Sequence, residues 1–426
     1  MNVAALVEAL VDRGLDAAER DRKQALFARL LAAWHTTRDD VPGHAWFVPG
    51  RLEVFGRHTD YGGGHALVAA APRGFAVAAS PRVDDAIRVV DAGRGESLLL
   101  APGRARTRLS GWRHYVDTTA RRLAANFPGQ RFGADVVIAS DLPPASGMSS
   151  SSALVIAIAE ALCRVGGVHD TAQWQRNIRN RLDAAGYYAC IENGRDFGTL
   201  AGDVGVGTQG GSEDHSAIVA GASERVLAFG FLPSRGLGAA RVPVDWQFVV
   251  GTCGVKANKT GRVQEAFNRL SSDAAALLEA WNAHAAAETP AISLAAALEA
   301  PGALDWLRQT AGGRRNRLDH FIRESGRVLP ALAAFERGDA HEVGRLADDS
   351  QRDAEHLLGN QIPESVAVAR AARAAGAFAA CSFGAGFGGA VWALVPASDT
   401  ARFVQAWTPD AFPIRPGPGL TDLPTN

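Results

Sequence analysis

The chain has 426 residues, 47% of them hydrophobic and 21% charged, and its formal net charge is −1. These values are typical of a globular protein with a large core, and they exclude a global electrostatic field that would attract nucleic acid or an anionic membrane. The length predicts about two or three domains. The four cysteines lie far apart and form no CxxC pair, so we expect free thiols rather than a zinc site or disulfides.

The first predicted elements are helices, because apolar residues recur at three- and four-residue spacing in VAALVEALVDRGL and ALFARLLAAW. The N-terminal segment has no basic region and no cleavage-site pattern, and the longest apolar run, ALVIAIAEALC, is too short to span a bilayer. We therefore expect a cytoplasmic protein that is not attached to a membrane.

From Trp46 onward, short apolar runs separated by Gly, Pro and Asp predict strands, among them RLEVFG, FAVAAS, AIRVVDAG and SLLLAPG. Helical spacing returns in GWRHYVDTTARRLAANF, and the predicted strand FGADVVIAS leads into the predicted helix SSSALVIAIAEALC. Farther on, WQFVVGTC predicts a central strand, Val263 to Leu346 is mainly helical, and AFAACSF and GGAVWALVP predict a final strand pair. A boundary near residue 230 divides the chain into domains of residues 1–230 and 231–426.

The most informative stretch is DLPPASGMSSSSALVIAIAEAL, in which a strand enters a small-residue loop and the loop enters a helix. Unpaired N–H groups at a helix start can bind phosphate, and Gly147 lets the backbone approach a ligand closely. The hydroxyls of Ser149, Ser150 and Ser151 add donors, and one of them can be a ligand of Mg²⁺. A serine cap on a core helix is the structural alternative, but a cap needs a single serine.

Three motifs occur in the order typical of one kinase family. PPASGMSSSSAL resembles the central motif of the GHMP kinases, and PGRLEVFGRHTDYGGGHAL resembles the galactokinase signature GRxNLIGEHTDYNGG. CSFGAGFGGAVWALV resembles the C-terminal motif KxTGAGFGGCxxAL. The chain thus resembles a divergent, galactokinase-like subfamily of the GHMP kinase superfamily. The resemblance implies an α+β fold, with an N-terminal α/β domain like domain 2 of ribosomal protein S5 and a C-terminal ferredoxin-like domain.

The resemblance also implies roles for single residues. Catalysis would fall to Arg51, near the transferred phosphoryl group, and to Asp214, which would orient the acceptor hydroxyl and take its proton. The match of GGSEDHSAI to the family's GIMDQ is loose, so Glu213 competes with Asp214 for that role. The residues expected to bind the sugar are Arg57, His58, Asp60, Tyr61 and Gly386.

ATP and Mg²⁺ are the implied cofactors. Glu192, in the stretch CIENG, is expected to hold Mg²⁺ together with Ser150, although a solvated helix glutamate is an open alternative. Trp112 either stacks on adenine or belongs to the core. The residues expected to hold the nucleotide are Trp112, Ser146, Gly147, Met148, Ser149, Ser150, Ser151 and Ser152.

Several departures from the family pattern concern the ligands. Arg57 replaces the family glutamate, and a guanidinium would suit an acceptor that carries a carboxylate, such as galacturonate. Alternatively, Arg57 pairs internally with Glu213 and leaves a neutral pocket. The third motif has CSF in place of lysine-x-threonine, and Lys256 and Lys259 either are solvated or face the anionic ligand.

The predicted function is ATP-dependent phosphorylation of the anomeric hydroxyl of galactose or a related monosaccharide, with galacturonate as the alternative acceptor. The HTDY stretch argues against another small-molecule kinase of the superfamily. A non-catalytic sugar sensor is disfavoured because the serines, Arg51 and Asp214 are all retained. The sequence lacks a basic stripe of the kind that would predict nucleic-acid binding. We expect a monomer or weak dimer.

Overall fold

The computed structural model describes residues 1–101, 109–143, 146–255, 261–286 and 289–425, so that Lys256 and Lys259 lie outside the described residues. The strands are β1 His44–Phe55, β2 His65–Pro81, β3 Ile87–Asp91, β4 Glu96–Leu100, β5 Ala134–Ser140, β6 Arg225–Gly230, β7 Arg235–Arg241, β8 Trp246–Thr252, β9 Ala379–Phe383, β10 Ala390–Pro396, β11 Phe412–Ile414 and β12 Thr421–Leu423. The helices are α1 Val3–Val11, α2 Arg20–Thr37, α3 Trp112–Asn126, α4 Ser150–Val165, α5 Ala172–Asn177, α6 Arg181–Asn193, α7 Glu213–Ala220, α8 Gly261–Ala285, α9 Leu294–Leu298, α10 Ala303–Thr310, α11 Arg315–Arg337, α12 Ala340–Asp353, α13 Pro363–Ala374 and α14 Thr400–Trp407.

The first sheet has eight strands, in the order β12-β1-β2-β5-β3-β4, and the hairpin β6–β7 joins it through β2. Side chains of a strand alternate between the two faces of a sheet. Trp46 and Val48 accordingly face the core formed with α3, α4 and α6, whereas Ala45 and Phe47 face α1 and α2. Both faces are covered, which explains why β1 and β2 are buried along almost their whole length.

The second sheet is antiparallel, in the order β11-β8-β10-β9, and helices cover both of its faces. The predicted α+β class is therefore confirmed, as are the central strand β8 and the final strand pair. The predicted boundary near residue 230 falls inside the hairpin β6–β7, whose two strands both stay in the first sheet, as β12 does. The division into residues 1–230 and 231–426 stays a prediction.

Several chain segments converge where the two sheets meet. They are the end of β1, a short 3₁₀ turn at Asp60–Gly62, the starts of α4 and α7, the end of α6, and the loop Gly384–Gly389 between β9 and β10. Among the described residues, no helix combines the length and the apolar character needed to cross a membrane. The four cysteines are free thiols.

Candidate active site

The serine loop, Ser146 to Ser152, opens onto a cleft at the start of α4. Ser149 occupies the N-cap position with φ 56° and makes no side-chain cap hydrogen bond, so its hydroxyl does not satisfy the first backbone N–H groups of the helix. A cleft of about 480 Å³, here called the outer cleft, is lined by this loop, by Trp112 and Tyr115 of α3, and by part of the loop Gly384–Gly389. The helix start is therefore open to a ligand, as phosphate binding requires.

Strand β1 approaches the serine loop unusually closely at Gly50. A Cβ atom at this position would lie 2.6 Å from the carbonyl oxygen of Met148, so that only glycine fits. The next residue, Arg51, donates its backbone N–H to the same oxygen at 3.1 Å. Close packing of β1 against the loop thus places the side chain of Arg51 beside the start of α4.

Arg51 and Asp214 form the centre of the site. Nε of Arg51 donates to Oδ1 of Asp214 at 2.6 Å, and Nη1 donates to the carbonyl oxygen of Gly147 at 2.6 Å. The hydroxyl of Ser149 donates to Oδ2 of Asp214, and Ser152 donates to the same oxygen at 3.4 Å. Burial lowers the pKa of Arg51, but the surrounding carboxylates, Asp214 foremost, outweigh burial and raise that pKa, so the guanidinium stays charged.

A second cavity, here called the inner cavity, lies on the other side of Arg51. By the measure that gives 480 Å³ for the outer cleft, its volume is about 50 Å³, and its walls include His58, Asp60 and Tyr61 from the HTDY stretch. Oδ1 of Asp60 accepts from the backbone N–H of Tyr61 at 2.9 Å, and Oδ2 accepts from that of Glu213 at 3.1 Å. Burial raises the pKa of Asp60, although these N–H groups oppose the shift.

The ring of His58 is held on both sides. Nδ1 lies 3.0 Å from the hydroxyl of Tyr61, and Nε2 lies 3.1 Å from the carbonyl oxygen of Ala385. Arg317 of α11 donates to the hydroxyl of Tyr61 at 3.1 Å and also to the backbone oxygen of His58. The second half of the chain therefore fixes the wall formed by the HTDY stretch, a role for Arg317 that the sequence did not indicate.

Arg57 does not lie where the sequence hypothesis placed it. Its side chain is 2% exposed and is not among the described residues that line the inner cavity. Nε donates to Oε1 of Glu53 at 3.2 Å, and the remaining nitrogens contact Ser382 and Cys381 at 3.3 Å each. Arg57 is paired within the protein, as the alternative hypothesis had it, but the carboxylate partner is Glu53 and not Glu213, because both residues lie on the buried side of β1 and of the turn after it.

Glu53 is a site residue that the sequence analysis missed. Its Oε2 accepts from the backbone N–H of Gly384 at 3.2 Å and lies 3.4 Å from Nη2 of Arg51, and the residue lines the inner cavity. Burial raises the pKa of Glu53, and the charges of Arg51 and Arg57 oppose that shift. The period of two in a strand could have revealed it, because that period puts residues 51 and 53 on one face.

The proposed metal ligands line different cavities. Glu192 lines the inner cavity, whereas Ser150 lines the outer cleft. It is Ser152, not Ser150, whose hydroxyl donates to Oε2 of Glu192, at 2.8 Å. His215, a further lining residue that the sequence did not single out, places Nε2 3.2 Å from the same oxygen without hydrogen-bond geometry. The described residues contain no cluster of three or more His, Cys, Asp or Glu suited to a metal.

Trp112 and Gly386 both lie in the outer cleft. Trp112 lines it while its indole N–H donates to Glu96 at 2.9 Å, so its stacking on adenine stays a prediction. Gly386, which was expected at the sugar, lines the outer cleft and not the inner cavity. The two cavities share Arg51 and Ala385 in their walls, so they meet at these two residues.

Comparison with known proteins identifies the family. Residues 35–81 match the galactokinase galactose-binding signature, residues 114–186 match the N-terminal domain of GHMP kinases, and residues 331–413 match the C-terminal domain. A galactokinase from Roseiflexus sp. (strain RS-1) is 30% identical over 364 residues, which cover 83% of this chain and 84% of that protein. The chain belongs to the galactokinase-like branch of the GHMP kinase superfamily.

Other galactokinase-like relatives agree with this assignment. A galactokinase from Streptomyces coelicolor is 28% identical over 388 residues, covering 87% of this chain and 89% of that protein. The crystal structure of Lactococcus lactis galactokinase complexed with galactose superposes with a TM-score of 0.75 and 22% identity, covering 93% of this chain and all of that one. The predicted GHMP kinase fold is therefore confirmed.

Proposed function

We propose that this chain is an ATP-dependent sugar kinase that phosphorylates the anomeric hydroxyl of galactose or of a close relative. The observation that carries the proposal is the junction of the two cavities at Arg51, where Asp214 and the serine loop are hydrogen-bonded to one another. Direct phosphoryl transfer requires the acceptor and the phosphate donor to be nearly in contact, and this junction provides such a place. The galactokinase names of the curated relatives support the choice of acceptor.

Each residue at the junction has a task that its chemistry suits. Asp214 is fixed by Arg51 and Ser149, so its carboxylate is already oriented to accept the proton of an acceptor hydroxyl in the inner cavity. Arg51 stays charged and can stabilise the negative charge that develops on phosphoryl oxygens. His58 and Asp60 form the facing wall, where they can hold sugar hydroxyls.

The outer cleft fits a nucleoside triphosphate in two respects. Its volume of about 480 Å³ lies within the range of small-molecule sites, and the start of α4 presents backbone N–H groups that the hydroxyl of the N-cap residue Ser149 does not bind. Ser150 and Glu192 would hold Mg²⁺, since hydroxyl and carboxylate oxygens suit that ion. When bound, ATP supplies the phosphoryl group, and Mg²⁺ neutralises charge on its phosphates.

The inner cavity favours galactose over galacturonate. The reason to expect an anionic sugar was Arg57, and that side chain is occupied by Glu53 outside the cavity. The cavity wall instead carries the carboxyl groups of Glu53, Asp60 and Asp214. A carboxylate on the acceptor would be repelled by these groups. The cytoplasmic location and the monomeric or weakly dimeric state stay predictions.

The proposal is tested by incubating the purified chain with ATP, MgCl₂ and single sugars. Phosphorus NMR of the product identifies the phosphorylated position, and a coupled ADP assay gives the rate. We expect galactose 1-phosphate to form, galacturonate to react poorly, and Asp214→Asn to abolish most of the turnover while circular dichroism shows an intact fold. ATP hydrolysis that no sugar stimulates, or phosphate on another hydroxyl, would refute the proposal.

A further inference from the structure

The three nitrogens of Arg51 are directed to three different parts of the chain. Nε donates to Asp214 of α7 at 2.6 Å, and Nη1 donates to the carbonyl oxygen of Gly147 in the serine loop at 2.6 Å. Nη2 donates to Oε2 of Glu53, on the same strand, at 3.4 Å. The ring of Phe383 lies below the guanidinium, with its centre 5.9 Å from Cζ. The orientation of Arg51 therefore depends on several partners at once, and Glu53 is one of them.

Glu53 is itself held in place on both of its oxygens. Oε1 accepts from Nε of Arg57 at 3.2 Å, and Oε2 accepts from the backbone N–H of Gly384 at 3.2 Å. Among the described residues, the hydrogen-bond partners of these oxygens are all donors. Such partners suit the ionised carboxylate, which accepts only, and they oppose the effect of burial, which raises the pKa of Glu53. Glu53 thus offers Arg51 a charged acceptor whose position is fixed by the fold.

The contact with Glu53 limits how closely Arg51 can pair with Asp214. Arginine and carboxylate side chains often form two parallel hydrogen bonds, which bind more strongly than one. Arg51 gives Asp214 the bond from Nε, whereas Nη2, which would supply the second bond, donates to Glu53. Oδ2 of Asp214 accepts instead from the hydroxyls of Ser149 and Ser152. A second bond from the guanidinium would make Asp214 a weaker proton acceptor and would turn Arg51 away from a phosphoryl group.

We propose that Glu53 is a positioning residue for phosphoryl transfer. By holding Nη2, it prevents Arg51 from forming a two-bond pair with Asp214. Arg51 then stays directed at the phosphoryl oxygens, and Asp214 stays able to accept the proton of the acceptor hydroxyl. The inference rests on the proposed sugar kinase function and adds a residue to the machinery of that same site. This role is separate from the stability that Glu53 provides through its ion pair with Arg57.

The test measures kcat and KM of Glu53→Gln, which keeps the size of the side chain and removes its charge. We expect kcat with galactose to fall about 10- to 100-fold, because a small misplacement of a catalytic group has a cost of that order. KM for ATP and for galactose should change less than about threefold, since the lost effect belongs to the transition state.

Glu324→Gln is the matched control. Glu324 is also a buried glutamate, at 1% exposure, and it accepts from the backbone N–H of Gly56 at 3.0 Å. It is not among the described residues that line either cavity. This variant should lower the free energy of unfolding while its kcat stays within about threefold of the wild-type value.

A crystal structure of Glu53→Gln gives a readout that does not depend on activity: Nε and Nη2 of Arg51 should both lie within hydrogen-bond distance of Asp214. If Glu53→Gln does not fold, Glu53→Asp takes its place. It keeps the negative charge beside Arg57 but moves the carboxylate one methylene group away from Nη2, so kcat should again fall.

Three results would overturn this inference and leave the kinase function standing. They are a kcat near the wild-type value in the folded Glu53 variant, an unchanged orientation of Arg51 in its crystal structure, and an equal loss of kcat in Glu324→Gln. Absence of turnover by the wild-type protein with every sugar would overturn the kinase function itself.

Discussion

Replacing Arg57 by methionine should destabilise the fold without widening the choice of acceptor. The substitution keeps the buried volume close to its original value but removes the Nε donor at 3.2 Å from Glu53, and with it the contacts to Ser382 and Cys381. Breaking a buried ion pair by removing one partner costs about 3–5 kcal/mol. In the variant, Glu53 still has Nη2 of Arg51 at 3.4 Å and the N–H of Gly384 at 3.2 Å. We therefore expect a loss at the lower end of that range, about 3 kcal/mol of the free energy of unfolding.

The assay is denaturant unfolding, with the free energy of unfolding compared at equal m-values. Arg131→Met is the matched control, because Arg131 pairs with Asp85 at the surface with its side chain 68% exposed, and it should cost about 1 kcal/mol or less. In the double variant Glu53→Gln/Arg57→Met, the loss should be smaller than the sum of the two single losses. This reasoning would be refuted if Arg57→Met had unchanged stability and if the ratio of kcat/KM for galactose to that for galacturonate changed tenfold or more.

Three further outcomes test the site. Asp214→Asn should lower kcat by about 10²- to 10⁴-fold with little change in nucleotide affinity by calorimetry; a matching loss of affinity would contradict the assignment as proton acceptor. Gly386→Ala should lower the free energy of unfolding by more than about 1 kcal/mol, because φ is +78° and a Cβ atom would lie 2.4 Å from the side chain of Asn360. Gly312→Ala is the control for backbone strain alone, because φ is +53° there and a Cβ atom would meet no other atom within 4 Å. Because burial raises the pKa of Glu213 in the folded state, wild-type stability should fall as pH rises from the ordinary carboxyl range toward that raised pKa. Glu213→Gln should reduce this slope in pH-dependent unfolding but not remove it, because burial also raises the pKa values of Glu53 and Asp60.

The centre of the site could be predicted because motif spacing encodes backbone geometry. When a strand, a glycine-containing serine run and a helix follow one another, the run usually places the first N–H groups of the helix beside an open loop. The structure has this arrangement, with Gly147 in the loop and Ser149 at the N-cap of α4. Arg51 and Asp214 followed from register within their motifs, and the structure brings them into contact. Local sequence order was sufficient in each of these cases.

The position of Arg57 could not be predicted, because its partners come from distant parts of the chain. Two departures from the family pattern lie far apart in the sequence: an arginine in place of glutamate at position 57, and CSF in place of lysine-x-threonine. In the structure Arg57 lies 3.3 Å from Cys381, the residue that stands at the lysine position. The two departures are therefore neighbours in the fold, and only tertiary contacts reveal this.

Strand β12 pairs with β1, at Ala45–Leu423, Trp46–Asp422 and Phe47–Thr421. During translation, β12 leaves the ribosome only after β1 to β7, the other strands of the first sheet. A nascent chain would expose the backbone of β1 along that edge until β12 has emerged, and an unpaired edge strand invites association with other chains. Emergence of β12, rather than of the first half of the chain, should therefore mark the moment when the strand that carries Arg51 becomes fully enclosed.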